Sequence, residues 1–359
     1  MRSVPRPIRV ALLAALLAGC GGQVVGVLSL AEAERQSPEV QPHFLDVTPL
    51  TGIDLVSVSR LDIAGYGQGA AVADFDGDGD LDIFLTQDVG PCRLYRNLGS
   101  MQFGDVAAFA GVQVSSGEAH AKAAAAFDFD RDGHTDLFVG TCGEGNRLFR
   151  NRGDGTFEDV SAASGIGGGT DFTLSAHPGD YDGDGLLDLY EVNCVPTDYA
   201  APNQHSPLPA RNRLWRNQGD GTFVDMAPLL GVDDPLAAWA AQWIDLDGDG
   251  DQDLLLPNDA FFYPGADVND RAFINSGAEG GFLFEDRAAD YGLDERHYGM
   301  GFSAGDLDGD GLLDLFSSDL GPSELRLGSD PTPWPDRAAA LGVEIGFDEG
   351  MRHQVTWGT

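Results

Sequence analysis

The sequence predicts an all-β fold, a β-propeller of four-stranded blades with five complete blades and a partial sixth. Three motifs recurring on one beat predict it. The first is DxDxDGxxD, found as DFDGDGDLD from Asp74, DFDRDGHTD from Asp128, DYDGDGLLD from Asp180, DLDGDGDQD from Asp245 and DLDGDGLLD from Asp306. These starts lie 54, 52, 65 and 61 residues apart, a period that marks one supersecondary unit repeated. The second motif is an aromatic, any residue, Asp, then small residues ending in Gly and an aliphatic. Its copies are FLDVTPLTGI from Phe44, FGDVAAFAGV from Phe103, FEDVSAASGI from Phe157, FVDMAPLLGV from Phe223, FEDRAADYGL from Phe284 and WPDRAAALGV from Trp334. The third is RLYRN from Arg93, RLFRN from Arg147 and RLWRN from Arg213, with a weaker AFINS from Ala272.

Each unit divides into four strands in chain order. A small-residue strand such as GAAVA before Asp74, or AAAAF before Asp128, comes first; small side chains suit a strand crowded at a propeller axis. The Asp loop leads into a period-2 apolar strand such as LDIFL, TDLFV or LDLYE. RLYRN is the third strand, a GDGTF-type turn follows, and the FxDV segment is the fourth.

The Asp loops predict about five Ca²⁺ sites. Carboxylates a few Å apart repel one another unless a cation or a proton intervenes. Calcium takes six to eight oxygens; loop positions 1, 3, 5 and 9 supply side chains and position 7 a backbone carbonyl. The side-chain ligands are then Asp74, Asp76, Asp78 and Asp82; Asp128, Asp130, Asp132 and Asp136; Asp180, Asp182, Asp184 and Asp188; Asp245, Asp247, Asp249 and Asp253; and Asp306, Asp308, Asp310 and Asp314. The carbonyl position holds Asp80, His134, Leu186, Asp251 and Leu312, a variety that suits a backbone ligand. Glycine at position 6 permits the sharp turn. The third loop meets the EF-hand consensus through Glu191 at position twelve, but the others carry Leu85, Val139, Leu256 and Ser317 there, and their flanks are strand-like.

On these motifs the chain from about Phe44 onward resembles the FG-GAP or VCBS repeat family of calcium-binding propellers, in the bacterial type associated with an ASPIC/UnbV domain. The resemblance implies a scaffold stapled by its metals. In such blades the calcium loops lie on one face, and the loops joining strands two and three emerge on the other. The sixth unit breaks off at MRHQVTWGT, where another Asp loop would begin. An open arc would leave an exposed sheet edge, so a truncated gene product is expected.

The formal net charge is -37, with 58 acidic residues and a single lysine, Lys122. Such a surface excludes nucleic acid and anionic headgroups as partners. Residues 1–19 carry Arg2, Arg6 and Arg9 and an apolar run, a secretory layout. Leu17-Ala18-Gly19-Cys20 resembles a lipobox, which implies lipidation of Cys20 and anchoring at the outer membrane or cell surface of a bacterium. Residues 20–42 read as a tether and 43–359 as the propeller. Cys92, Cys142 and Cys194 remain, and sequence does not assign a disulfide among them.

No nucleophile or metalloprotease motif occurs, so the expected function is a non-catalytic binding module for a protein or glycan. The two-to-three loops Cys194 to Ala210 and Asn258 to Arg271, the latter with Phe261, Phe262 and Tyr263, are the candidate ligand face. Tyr66, His120, Phe172 and Tyr298 each lie eight residues before a loop and would ring the channel mouth. The alternative is a Ca²⁺-dependent lyase-like enzyme using Tyr66, His120 and Tyr298 as base and acid. Arg152-Gly153-Asp154 spells an integrin-binding tripeptide but occupies the same turn as Gln218-Gly219-Asp220 in the next unit.

Overall fold

The computed structural model describes residues 46–55, 68–87, 89–114, 120–167, 172–194, 211–260, 268–295, 298–319 and 321–343. Tyr66, Phe261, Phe262, Tyr263, Cys20, the signal and tether segments, most of both long loops and the final MRHQVTWGT lie outside these. Among the described residues the sheets are antiparallel, and units one to four follow the predicted order of four strands. Unit one comprises β1 (Ala70–Ala73), β2 (Asp82–Leu85), β3 (Arg93–Asn97) and β4 (Phe103–Asp105). Unit two comprises β5 (His120–Phe127), β6 (Asp136–Cys142), β7 (Arg147–Asn151) and β8 (Phe157–Asp159). Unit three comprises β9 (Phe172–Gly179), β10 (Asp188–Cys194), β11 (Arg213–Asn217) and β12 (Phe223–Asp225). Unit four comprises β13 (Gln242–Ile244), β14 (Asp253–Leu256), β15 (Arg271–Asn275) and β16 (Phe284–Asp286). Cys142 of β6 also pairs with Phe172 of β9, which joins the second and third sheets.

The fifth unit corrects the expectation of five complete four-stranded blades. Its sheet has three strands, β17 (Gly299–Gly305), β18 (Asp314–Asp319) and β19 (Glu324–Arg326). The segment expected as its fourth strand is Pro333-Trp334-Pro335-Asp336. Proline has no N–H to donate to a ladder, so two prolines around Trp334 prevent the pairing. The segment still runs beside β19, where Arg337 N donates to Leu325 O at 2.6 Å and Leu325 N to Asp336 Oδ1 at 3.0 Å.

The small-residue stretches after each fourth strand form single helical turns. Thr48–Thr51, Ala107–Ala110, Ser161–Ser164, Ala227–Leu230, Ala288–Tyr291 and Ala338–Leu341 each end at a left-handed glycine. The FxD aspartate starts them: Asp105, Asp159, Asp225, Asp286 and Asp336 each accept the backbone N–H two residues on at 2.9–3.1 Å. That short local bond offers the chain a turn in place of continued strand.

The cores lie between successive sheets. Phe75, Phe84 and Leu94 of unit one are buried with Leu137, Val139, Phe149 and Phe157 of unit two, and equivalent clusters join units two to three, three to four and four to five. The residue at loop position 2 docks on the fourth-strand aromatic of the next unit: Phe75 on Phe157 at 5.9 Å, Phe129 on Phe223 at 6.0 Å and Tyr181 on Phe284 at 6.2 Å between ring centroids. First strands approach so closely that a Cβ at Gly69 would lie 2.6 Å from Lys122 O and 2.7 Å from Ala124 N. Both are backbone atoms and cannot swing away. Gly69→Ala is therefore expected to lower the urea midpoint by an amount equivalent to about 1–3 kcal/mol; an unchanged midpoint would mean the two strands separate freely.

Candidate metal centres

Each Asp loop folds its carboxylates inward because its own backbone hydrogen-bonds them. At position 6, Gly79, Gly133, Gly185, Gly250 and Gly311 have φ of 83–97° and donate N–H to Oδ2 of the position-1 aspartate at 2.9–3.1 Å. The position-7 N–H donates to Oδ1 of the position-5 aspartate at 2.8–3.0 Å. Side-chain oxygens of three aspartates then come within 4.8 Å of one another in every loop: Asp74, Asp76 and Asp78; Asp128, Asp130 and Asp136; Asp180, Asp182 and Asp184; Asp245, Asp247 and Asp253; Asp306, Asp308 and Asp314. Asp180 Oδ1 is buried and has no hydrogen-bond partner, an arrangement a bound cation would satisfy. An all-oxygen, carboxylate-rich donor set suits Ca²⁺, the hard cation with six to eight ligands.

The position-7 side chains of loops two, three and four turn away from this cluster. The His134 ring lies against Gly153, Leu186 against Gly219 and the Asp251 carboxylate against Gly277, each in the turn after the third strand. Only the backbone carbonyl of these residues is left for a metal. Glu191 is likewise no ligand. It is fully buried beyond the loop, accepting from Trp215 Nε1 at 2.7 Å and Thr173 Oγ1 at 3.0 Å.

The position-9 aspartates have a second task that the spacing does not disclose. Asp82, Asp136, Asp188, Asp253 and Asp314 are 0–2% exposed. Each Oδ2 accepts the N–H of loop position 2 at 2.7–3.3 Å, and each Oδ1 accepts the N–H at or just beyond the end of the third strand at 2.7–3.0 Å. One carboxylate therefore ties its loop to strand three.

RLYRN can now be read residue by residue. Its first arginine pairs with the aspartate that starts the helical turn: Arg93 with Asp105, Arg147 with Asp159 at 3.8 Å and Arg213 with Asp225 at 3.4 Å, and Arg271 pairs with Asp286 at 2.9 Å. The leucine and the aromatic enter the core. The asparagine joins adjacent units: Nδ2 of Asn151, Asn217 and Asn275 donates to the position-2 carbonyl of the preceding loop, at Phe75 (2.8 Å), Phe129 (2.7 Å) and Tyr181 (2.8 Å).

Burial pushes up the carboxyls of Asp82, Asp136, Asp188 and Asp253, Asp136 to about 7, Asp188 to about 8 and Asp253 to about 6. An unfolded aspartate titrates near about 3.9. Between about pH 4 and 8 the metal-free folded chain thus binds more protons than the unfolded one, and its stability falls as pH rises. Metal-free protein is expected to unfold at lower urea at about pH 8 than at about pH 5, with calcium removing the difference. A metal-free stability that rises across this window would contradict the reading.

His120 and Phe172 open β5 and β9, and Tyr298 directly precedes β17, donating its N–H to Asp319 Oδ2 at 3.0 Å. A cavity of about 250 Å³ lies among the first strands, lined by Gly69, Lys122, His177, Trp239 and Met300 from five consecutive units. His120, Phe172 and Tyr298 do not line it. Burial pushes the His177 imidazole down to about 4, and its Nε2 accepts the Ala241 N–H at 3.0 Å, as a neutral ring can. Lys122 escaped the motif reading, although its being the only lysine could have marked it. Cys92 and Cys194 are buried and Cys142 is half-buried.

A family profile described as FG-GAP-like repeat matches the chain three times, over residues 74–139, 128–191 and 198–256. Each match ends in the strand after an Asp loop. Cartilage acidic protein 1 of Xenopus tropicalis, Mus musculus and Homo sapiens is 31% identical over 160 residues, 41% of this chain and 22% of each relative. The match thus spans about a fifth of the length of these curated relatives. Among solved structures, an Agrocybe aegerita lectin that recognises non-reducing terminal N-acetylglucosamine is 19% identical, covering 78% of this chain and 70% of that one with a TM-score of 0.43. The V. cholerae biofilm matrix protein Bap1 is 13% identical over 75% of this chain and 38% of its own, with a TM-score of 0.39.

Proposed function

We propose that this chain, with its FG-GAP-like repeats, is a non-catalytic calcium-stabilised β-propeller that binds a protein or glycan partner. The observation that carries the scaffold reading is the repetition of one inward-folded aspartate cluster in all five units. Its propeller form is supported by sheets stacked in sequence and by first strands of five units meeting around one cavity. Calcium is a staple in this reading: it neutralises carboxylates that otherwise repel at the joint between first and second strands. Extracellular calcium suffices to fill even sites with Kd of about 10⁻⁴ to 10⁻³ M. Export and lipid anchoring through Cys20 would place the protein where that calcium is available.

The partner would meet the face opposite the metal loops, where the long insertions after β10 and β14 emerge on the family's blade plan. A charge of -37 selects against nucleic acid and favours neutral or cationic surfaces. Screening the calcium-loaded protein on immobilised glycans and proteins is expected to give retention without any change in the ligand. Release of unsaturated sugars from a polysaccharide, lost in His120→Ala and Tyr298→Phe, would replace the binding reading with a catalytic one.

A further inference from the structure

We infer that Arg96, Arg150 and Arg216 are built-in counter-cations that divide the five loops into two classes of calcium site, the loops of units four and five being the tighter. The inference rests on the calcium reading above. All three arginines occupy the fourth position of the third strand and reach the carboxylates at loop positions 3 and 5. Arg96 pairs with Asp76, and its Nη2 lies 3.3 Å from Asp78 Oδ2. Arg150 Nε lies 2.7 Å from Asp130 Oδ2 and its Nη2 3.6 Å from Asp132 Oδ2. Arg216 Nη2 lies 2.6 Å from Asp182 Oδ2 and 3.3 Å from Asp184 Oδ2.

The same register in unit four holds Ile274, buried in the core shared with unit five, and in unit five it holds Leu327. Among the described residues, no arginine contacts Asp247, Asp249, Asp308 or Asp310; the nearby Arg287 is engaged with Asp290 at 2.6 Å. Each set of four candidate ligand carboxylates is thus contacted by one guanidinium in the first three loops and by none in the last two, where Arg287 acts on Asp247 only through space. The second loop carries a further cation, Arg131, at its own position 4 with φ of 60°.

Ligand charge count is what tunes calcium affinity in such loops. A guanidinium touching two ligands opposes the incoming ion directly, and the ion must either share those oxygens with it or displace it. The same arginines offset part of the negative charge of the first three loops when calcium is absent. Loops four and five have no such substitute.

The test is calorimetric titration of chelator-stripped full-length protein with CaCl₂ at low salt. Two tight ions and three weaker ones are expected, separated by about tenfold in Kd. Asp249→Asn should remove a tight ion and Asp184→Asn a weak one. Arg216→Leu should move one ion from the weak class to the tight class, by about tenfold at low salt and less at high salt. Circular dichroism matching the parent's confirms that each variant folds. Five equivalent sites, or weaker calcium binding in Arg216→Leu, would overturn the inference while leaving the calcium reading intact. The absence of any calcium binding would overturn both.

Discussion

Asp188→Ala is expected to lower stability in saturating calcium by about 3–5 kcal/mol, among the largest effects of any single substitution here. The carboxylate is buried and does three things at once. Its Oδ2 accepts from Tyr181 N at 3.3 Å, its Oδ1 accepts from Asn217 N at 2.8 Å, and on the calcium reading it would be the last ligand of the third loop. Alanine leaves two buried N–H groups without acceptors and a metal site short of one charge. The control is Asp184→Ala, which removes a candidate ligand that is about a third exposed, accepting the Leu186 N–H at 2.9 Å and sharing the Arg216 guanidinium with Asp182. Urea titrations of both variants separate the roles. If they lose equal stability, the position-9 carboxylate is a ligand and nothing more.

Asn217→Ala is the second large effect, expected to cost about 2–3 kcal/mol. Its Nδ2 donates to Phe129 O in the preceding unit and to Leu187 O at 3.1 Å in its own, while its Oδ1 accepts from Gly219 N at 3.0 Å. Alanine loses all three bonds at once, the one to Phe129 O being buried. The fifth unit already lacks this group: Gly328 occupies the position, keeping the N–H bond to Asp314 Oδ1 at 3.0 Å but having no amide to reach the Leu246 carbonyl. In hydrogen exchange, Asn217→Ala should loosen β9 to β12 toward the faster exchange expected of β17 to β19. Unchanged protection of β9 to β12 would remove the inter-unit role of the asparagine.

What the sequence disclosed follows from the range of the interactions involved. Asp loops and strand order were legible because a loop's ligands and a strand's alternation sit within nine residues of one another. The bonds of Asn151, Asn217 and Asn275 were not, since each partner lies 76–94 residues away and only the repeat brings them together. The second task of Asp82 and its equivalents was hidden for a related reason: a ligand aspartate and a latch aspartate look alike in a string. The helical turns after each fourth strand depend on one Asp-to-backbone bond that a run of small residues does not announce. The incomplete fifth sheet, by contrast, was written in Pro333 and Pro335, and the strength of the FxD repeat concealed it. Tyr66 and the aromatic loop at Phe261, Phe262 and Tyr263 are placed by sequence alone.

The central claim is that each unit is held by its own calcium ion, and counting ions against stability tests it most directly. Native mass spectrometry of the calcium-loaded chain, paired with thermal unfolding before and after EDTA at low salt, reads both quantities on one sample. The account predicts about five bound Ca²⁺ per chain and a large fall in Tm on chelation, restored by calcium. A chain that carries no calcium, or an unfolding temperature that EDTA leaves unchanged, would contradict it.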